Sequence, residues 1–431
     1  MSSARGAITR LRSLPVYIRS FINHARRNGL VAAVVKSFQF LRWGGGLGYG
    51  QGYRRWFARN RVQDRAAASL SVFARPSLVI VGPLDLPQCR KYRVVQKLEL
   101  LHGLGIDCHM CHVEDAVRFY NLAQVATHLM FYRVAGSPLI DGYMQEAERL
   151  GLQVAYDIDD PIFDVETYRA NRNLDTLDAA EKDQLLASAE RHLQVMRHCP
   201  VITVSTTGMA ELVRRRLGVE PWIWPNGVDA ELRQLAEEFS GQPLPPEEET
   251  VIAYMSGSRA HDRDFESVVP VLAELLATHP FLKLMLVGYV PIPASLEPHE
   301  ERIERVPFGG YHEYFAALSR AQVVIVPLLI DGFNECKSAI RYFEASLLGV
   351  PTVASRVGQF REVIRDGESG FLAREDAEWR TALTALVENA DLRREMGKAA
   401  REATLSGHGL DPIGEALAPL LAEYRLESVR E

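Results

Sequence analysis

Three ionisable residues in the stretch Val323–Ala373 are spaced for one helix face: Lys337, Arg341 and Glu344, at i, i+4 and i+7. A helix is expected over Lys337–Leu348. It lies between the turn chemistry of Asp331-Gly332-Phe333-Asn334 and the stop at Gly349 and Pro351. Lys337 and Ser338 would put a cation and a hydroxyl beside the free N–H groups of its first turn, a setting that suits phosphate. Glu344, two turns on at roughly 1.5 Å per residue, would offer a carboxylate to sugar hydroxyls. Phosphate at one end and a hydroxyl-binding carboxylate on the same face suit a nucleotide diphosphate sugar. The same residues also fit a plain surface helix with solvated charges and an ion pair from Arg341 to Glu344.

In the first half, Asp157-x-Asp159-Asp160 follows the strand-like Gln153–Tyr156. Three acids so close suit a divalent metal or a hydroxyl acceptor. Acceptor-side or structural duty is the reading taken here, with solvated acids as the plain alternative. Cys108-His109-Met110-Cys111-His112 has metal-ligand residue types but lacks a second Cys pair at zinc spacing, and its first residues read as strand. No metal site is expected.

These residues need elements to hold them. Ser77–Gly82, Ile106–Met110, Thr127–Val134 and Gln153–Tyr156 read as buried strands, alternating with helices over Val94–Leu104 and Tyr143–Leu150. That alternation implies an α/β chain with doubly wound parallel sheets. Ligands of such sheets sit outside the carboxyl ends of the strands. The residues that follow those ends are Gly82 with Tyr92 and Arg93, then Arg133, then the aspartates. A second set starts with Val251–Ser256, a small-residue loop and a helix over Phe265–Thr278. Between the two sets, Ser240–Thr250 is rich in Pro and Glu and reads as a linker.

At 431 residues the chain expects two or three domains. Five cysteines point to a reducing compartment rather than a disulfide framework. The net charge of −6 hides an asymmetry. Residues 1–75 hold fourteen Arg or Lys against one acid, Asp64, a formal +13, so the remainder carries −19. In 1–75, apolar residues alternate with arginines, Leu30–Leu41 reads as an amphipathic helix, and Trp43, Trp56 and Phe57 suit an interface. No apolar run reaches the ~18–20 residues that span a bilayer, and no signal-peptide pattern is present. The expected partner is an anionic membrane surface; the alternative is a helical extension packed on the acidic body. Nucleic acid is not expected, because no recognition motif accompanies the charge. The glycine-rich Gly44–Gly50 reads as a loop rather than a phosphate cradle.

EASLLGVPTVAS followed by EVIRDGESGFLA resembles the donor-site signature of family 4 glycosyltransferases, which have the GT-B fold. The resemblance spans roughly 76–410 and is strongest in the second half. It implies two Rossmann-like domains facing a cleft: 76–239 for the acceptor and 250–410 for the nucleotide sugar. The basic helical extension 1–75 precedes them, and a helix within 411–431 crosses back. Glu344 matches the second of the family's two glutamates, which holds the ribose. The first falls on Cys336, not an acid, and Glu335 one place away becomes the candidate for the donor sugar. Asn334…Lys337-Ser338…Glu344 resembles a sub-branch of the family. The family's glycine turn carries an Arg and a Lys for the diphosphate; Arg259 lies near the first position and Arg263 is the cation nearest the second. His261 is a further candidate near the reaction centre. Val306-Pro307-Phe308 with Tyr311 resembles the segment that frames the base, and Pro225-Asn226-Gly227 the segment that closes the first domain.

The resemblance implies retaining, metal-independent transfer of a sugar from a nucleotide sugar to a glycan or lipid-linked acceptor, with no cofactor. Arg259, Arg263, Lys337 and Ser338 would bind the donor diphosphate. The acceptor would lie near Arg93, Arg133, Asp159 and Asp160. The setting it suggests is bacterial envelope polysaccharide synthesis, in the cytoplasm or at the inner face of the membrane. Two alternatives remain: a non-catalytic protein of the same fold recruited to a membrane, and a nucleotide-sugar epimerase.

Overall fold

The computed structural model of the protein describes residues 76–240, 249–256, 262–288 and 290–426. The basic arm 1–75 and most of the linker, 241–248, lie outside them. In the first domain β1 (Ser77–Gly82), β2 (Asp107–His112), β3 (His128–Tyr132), β4 (Gln153–Ile158), β5 (Val201–Val204) and β6 (Trp222–Ile223) form one parallel sheet, ordered β2-β1-β3-β4-β5-β6. In the second, β7 (Thr250–Ser256), β8 (Leu282–Gly288), β9 (Ile303–Val306), β10 (Val323–Val326), β11 (Thr352–Ser355) and β12 (Phe371–Ala373) form another, ordered β12-β11-β10-β7-β8-β9. Helices cover both faces of each sheet, so β1 and β10 are buried along their whole length. That is why these strands read as unbroken apolar runs rather than as alternation. Strand order reverses between β1 and β3 in the first sheet and between β7 and β10 in the second. Each reversal opens a crevice at the strands' carboxyl ends.

The chain passes between the domains twice. The helix Ala230–Phe239 buries Leu232, Leu235 and Phe239 among Val251, Phe315 and Leu318 of the second domain. The first crossing is therefore at Asn226–Asp229, earlier than the boundary at 239 and the linker that composition suggests. The second crossing precedes the helix Leu410–Glu423, whose Ile413, Leu417 and Leu420 pack on Leu78 and Ile80 of the first sheet. The two crossings touch. The N–H of Val228 donates to the carbonyl of His408 at 2.8 Å. At Gly227 a Cβ would lie 2.5 Å from Ile413 Cδ1 and 2.8 Å from the His408 carbonyl, which leaves room for glycine only.

Three helices differ from the sequence expectation, besides Pro138–Leu150, which starts five residues before the expected Tyr143. The first starts early: Pro87–Arg90 runs into a π turn, Lys91–Val95, and on to Gln96–Gly103. Pro87 supplies the fixed φ that suits a first turn. The stretch expected as one helix over Phe265–Thr278 is two, Asp262–Glu266 and Val269–Thr278, with Pro270 in the first turn of the latter. The third concerns the site. The helix expected to start at Lys337 starts at Ile340 and ends at Leu347. Ahead of it Asn334–Cys336 makes a 3-10 turn, and Lys337 is extended at φ −72°, ψ 139°.

Candidate active site

The two crevices face each other, and between them lies a cavity of 230 Å³. Met255 and Ser256 at the end of β7, Val287 of β8 and Leu328 beyond β10 form its second-domain side, with Pro87, Gln88 and Tyr92 on the other. Phe308, Gly309, Gly310 and Tyr311 form one end. Lys337, Ser338, Arg341 and Glu344 supply polar atoms. The wall is mostly apolar, with a few convergent charges, the usual make-up of a small-molecule site.

Glu344 is 4% exposed. Its Oε1 accepts a hydrogen bond from the Tyr92 phenol at 2.6 Å and its Oε2 one from the Tyr314 phenol at 2.7 Å. Burial pushes its pKa up, and the two phenols, then Arg341 and Lys91, oppose that rise. The plain reading of this helix, an Arg341–Glu344 ion pair, is replaced by these two phenol bonds. Arg341 instead lies over the Tyr254 ring, 5.9 Å from its centroid. Neither Tyr92 nor Tyr314 carries a motif. The one sequence signal for Tyr92 is its place after β1, and for Tyr314 its place one helix turn past Tyr311.

Lys337 and Ser338 reach the cavity without being helical. Lys337 Nζ pairs with Asp160 Oδ1 of the first domain at 2.8 Å and sits 4.8 Å from the Phe333 ring centroid. Ser338 Oγ accepts from Asn226 Nδ2 and donates to Gln359 Oε1, both at 3.1 Å. Beyond Lys337 the network continues through the first domain. Arg133, at φ 48°, reaches Asp160 at 3.2 Å and Asp159 at 3.3 Å. The Tyr132 phenol also donates to Asp159. Burial raises the pKa of Asp159; Arg133 opposes this and the Asp160 charge adds to it. The structure thus brings Arg133, Asp159, Asp160 and Lys337 together at the cleft.

Other candidates are placed elsewhere. Arg93 is fully buried under the sheet end. It holds Asp157 through Nε at 3.0 Å and Nη2 at 2.5 Å, and its Nη1 donates to the Trp224 carbonyl and to Asn226. With all three side-chain nitrogens bonded inside the protein, Arg93 is a tie between the sheet and the first crossing, not an acceptor contact. Asp157 takes further bonds from Lys97 and Thr203. Burial would raise its pKa, but Arg93 and Lys97 outweigh that and hold it low. Arg263 is half-exposed and pairs with Glu266 on its own helix at 2.8 Å, away from the cavity residues. Glu335 is gripped by both Arg361 nitrogens, at 3.1 and 2.8 Å, and accepts from the Gly358 N–H. It is absent from the cavity wall, because the 3-10 turn aims it toward Arg361. Arg259 and His261 lie outside the described residues. Cys108 and Cys111 are buried in separate apolar clusters, so they do not face a common point.

One contact escaped sequence reading entirely. Asp264 is fully buried. It accepts from the Leu329 N–H at 2.9 Å, from Asn334 at 3.2 Å and from Asn173 of the first domain at 3.1 Å. It fastens the loop after β10 to a lobe of the facing domain.

Residues 249–389 match the family model described as Glycosyl transferases group 1, so the second domain is of that type. Over 82 residues the chain is 35% identical to D-inositol 3-phosphate glycosyltransferase of Arthrobacter sp. (strain FB24), a match covering 19% of this chain and 18% of that relative's length. Among solved structures, sucrose-phosphate synthase from Thermosynechococcus elongatus superposes with a TM-score of 0.60 at 16% identity, covering 82% of this chain and all of that one. HepE of Anabaena, solved in complex with UDP, gives 0.54 at 13% identity, covering 80% and 100%. WaaG, a glycosyltransferase involved in lipopolysaccharide biosynthesis, gives 0.52 at 12%, covering 80% and 99%. These likenesses are of fold: the chain has the GT-B architecture of two Rossmann-like domains facing a cleft.

Proposed function

We propose that the chain is a glycosyltransferase that moves a sugar from a nucleotide-sugar donor to a glycan or lipid-linked acceptor. The observation that carries this reading is the cavity at the facing strand ends, with Glu344, Arg341 and Lys337 converging on it within a group 1 glycosyltransferase domain. In this reading Phe308 and Tyr311 frame the base, Glu344 takes the ribose hydroxyls, and Arg341, Lys337 and Ser338 face the diphosphate. Cations offset charge that builds on a leaving diphosphate. The reaction proposed is retaining and independent of divalent metal. The acceptor enters along the Arg133–Asp159–Asp160 side. The charge of residues 1–75, taken with envelope polysaccharide as the acceptor class, supports a peripheral place on an anionic membrane. HepE, solved in complex with UDP, and WaaG, involved in lipopolysaccharide biosynthesis, are in keeping with that class.

The capture of Glu335 by Arg361 favours one second reading, a protein of this fold that binds nucleotide without catalysis. Donor turnover separates the two. Purified protein is incubated with a panel of nucleotide sugars, and release of nucleoside diphosphate is followed. Release from one donor that Glu344→Ala and Lys337→Ala both abolish supports the transferase. Nucleotide binding with no transfer to any glycan or lipid-linked acceptor supports the second reading. Absence of nucleotide binding refutes both.

A further inference from the structure

Glu344 poses a physical problem. A carboxylate taken out of water needs hydrogen-bond donors, or it takes a proton instead. Its two donors come from different domains. Tyr314 stands on the helix Tyr311–Leu318 of the second domain, and Tyr92 on the π turn Lys91–Val95 of the first. Tyr92 itself is 3% exposed, and its neighbours pin it. Lys91 Nζ bonds Asp229 at 3.0 Å, Arg93 grips Asp157, and Gln96 Nε2 donates to the Gly227 carbonyl at 2.7 Å. The Tyr92 phenol is therefore fixed at the seam, where Arg93 ties its turn to the first sheet and Lys91 and Gln96 tie it to the crossing. The domain that dries Glu344 also brings the phenol that replaces its water.

We propose that Tyr92 and Tyr314 are positioning residues that keep Glu344 an ionised, aimed carboxylate, and that Tyr92 lets the cleft close over that charge. The inference rests on the donor-site reading, in which Glu344 accepts from the nucleotide's ribose. The groups facing Glu344 are Tyr92 and Lys91 from the first domain, Tyr311 and Tyr314 from the neighbouring helix, and Arg341 on its own helix. Burial raises the Glu344 pKa, and the Tyr92 phenol is the foremost group opposing it. Without that phenol the closed, empty site holds a proton on Glu344 at higher pH. Nucleotide must then displace the proton, and affinity falls on the acid side.

The test is calorimetric titration of the full chain with UDP, GDP and ADP from pH 5.5 to 8.5. Wild type, Tyr92→Phe, Tyr314→Phe and each tyrosine variant combined with Glu344→Gln are compared. For the nucleotide that binds, Tyr92→Phe is expected to move the acid limb of the affinity profile up by about one pH unit. That equals up to about tenfold weaker binding on the acid limb, with the difference vanishing toward the alkaline end. Tyr314→Phe is expected to do the same, and Glu344→Gln to erase the difference. A Tyr92→Phe profile lowered equally at every pH, or tighter than wild type, would overturn the inference and leave the donor site standing. Wild type that binds none of the three nucleotides would overturn the donor-site reading and this inference with it.

Discussion

At Gly208 the backbones of the two domains meet closely, and replacing it tests the closed cleft directly. It lies in the first turn of the helix Thr207–Leu217, capped by Thr206. The Thr206 hydroxyl also donates to the Cys336 carbonyl of the facing domain at 3.0 Å. A Cβ on residue 208 would stand 2.1 Å from the Glu335 carbonyl oxygen and 2.9 Å from its carbon. Both neighbours are backbone, so no rotamer can relieve the clash. Restoring a contact of at least 3.0 Å needs a separation of roughly 1 Å at this point. The change fits neither the 2.8 Å Lys337–Asp160 pair nor the 2.6 Å Tyr92–Glu344 bond, which span the same cleft. Forcing extra carbon into a packed contact costs about 1–3 kcal/mol, so Gly208→Ala should lower the closed-to-open ratio by about 5- to 150-fold. Gly208 does not line the cavity, so the second-domain half of the site is untouched. Small-angle scattering of the empty protein should show a larger radius of gyration, and nucleoside diphosphate should bind more weakly. Gly103→Ala, in a helix with nothing within 4 Å of the new methyl, is the control and should change neither. If Gly208→Ala scatters and binds like wild type, the domains do not meet at this point in solution.

Two further predictions concern the charges around the cleft. Burial, then Arg93, lower the Lys97 pKa to about 7 from 10.5 in spite of Asp157. Between those values the unfolded chain holds the proton and the folded one does not, so this lysine makes stability rise with pH across about 7 to 10.5 and withholds it fully below. Lys97→Met keeps the length of the side chain but removes the nitrogen that lies 5.0 Å from the Trp224 ring centroid, and should flatten that rise in urea unfolding followed from pH 6.5 to 9.5; an unchanged slope would show that Lys97 is charged in the folded protein. Asp160→Asn should release Lys337 toward the cavity. UDP is then expected to bind severalfold more tightly while uridine, which lacks phosphate, is unaffected; equal changes for both would show that Lys337 does not meet the phosphates.

The architecture was legible because it is written in local pattern. Val323–Val326 and Ser77–Gly82 are apolar throughout because both faces of a parallel sheet are covered. The turn at Gly349-Val350-Pro351 ends its helix through its own backbone chemistry. Glu344 could be singled out for the same reason: its distance from Gly349 and Pro351 is a property of one helix. Lys337 could be placed near the cavity but not in its conformation. The helix propensity of residues 337–339 yields to contacts with Asp160, Asn226 and Gln359, none of which is local.

What the sequence by itself determined is which residues end up at strand ends, since period and turn residues act over a few positions. It could not tell which of those residues face the cleft. Arg93 and Arg133 both follow strands and both carry a guanidinium, yet one is sealed against Asp157 and the other opens onto Asp159 and Asp160. Nor could it pair Tyr92 with Glu344, 252 residues apart, or Asp160 with Lys337, 177 apart. Those contacts exist only because two independently wound sheets are held face to face by two touching crossings. The fit of one domain on the other decides which charges are shared, and no short-range pattern encodes that fit.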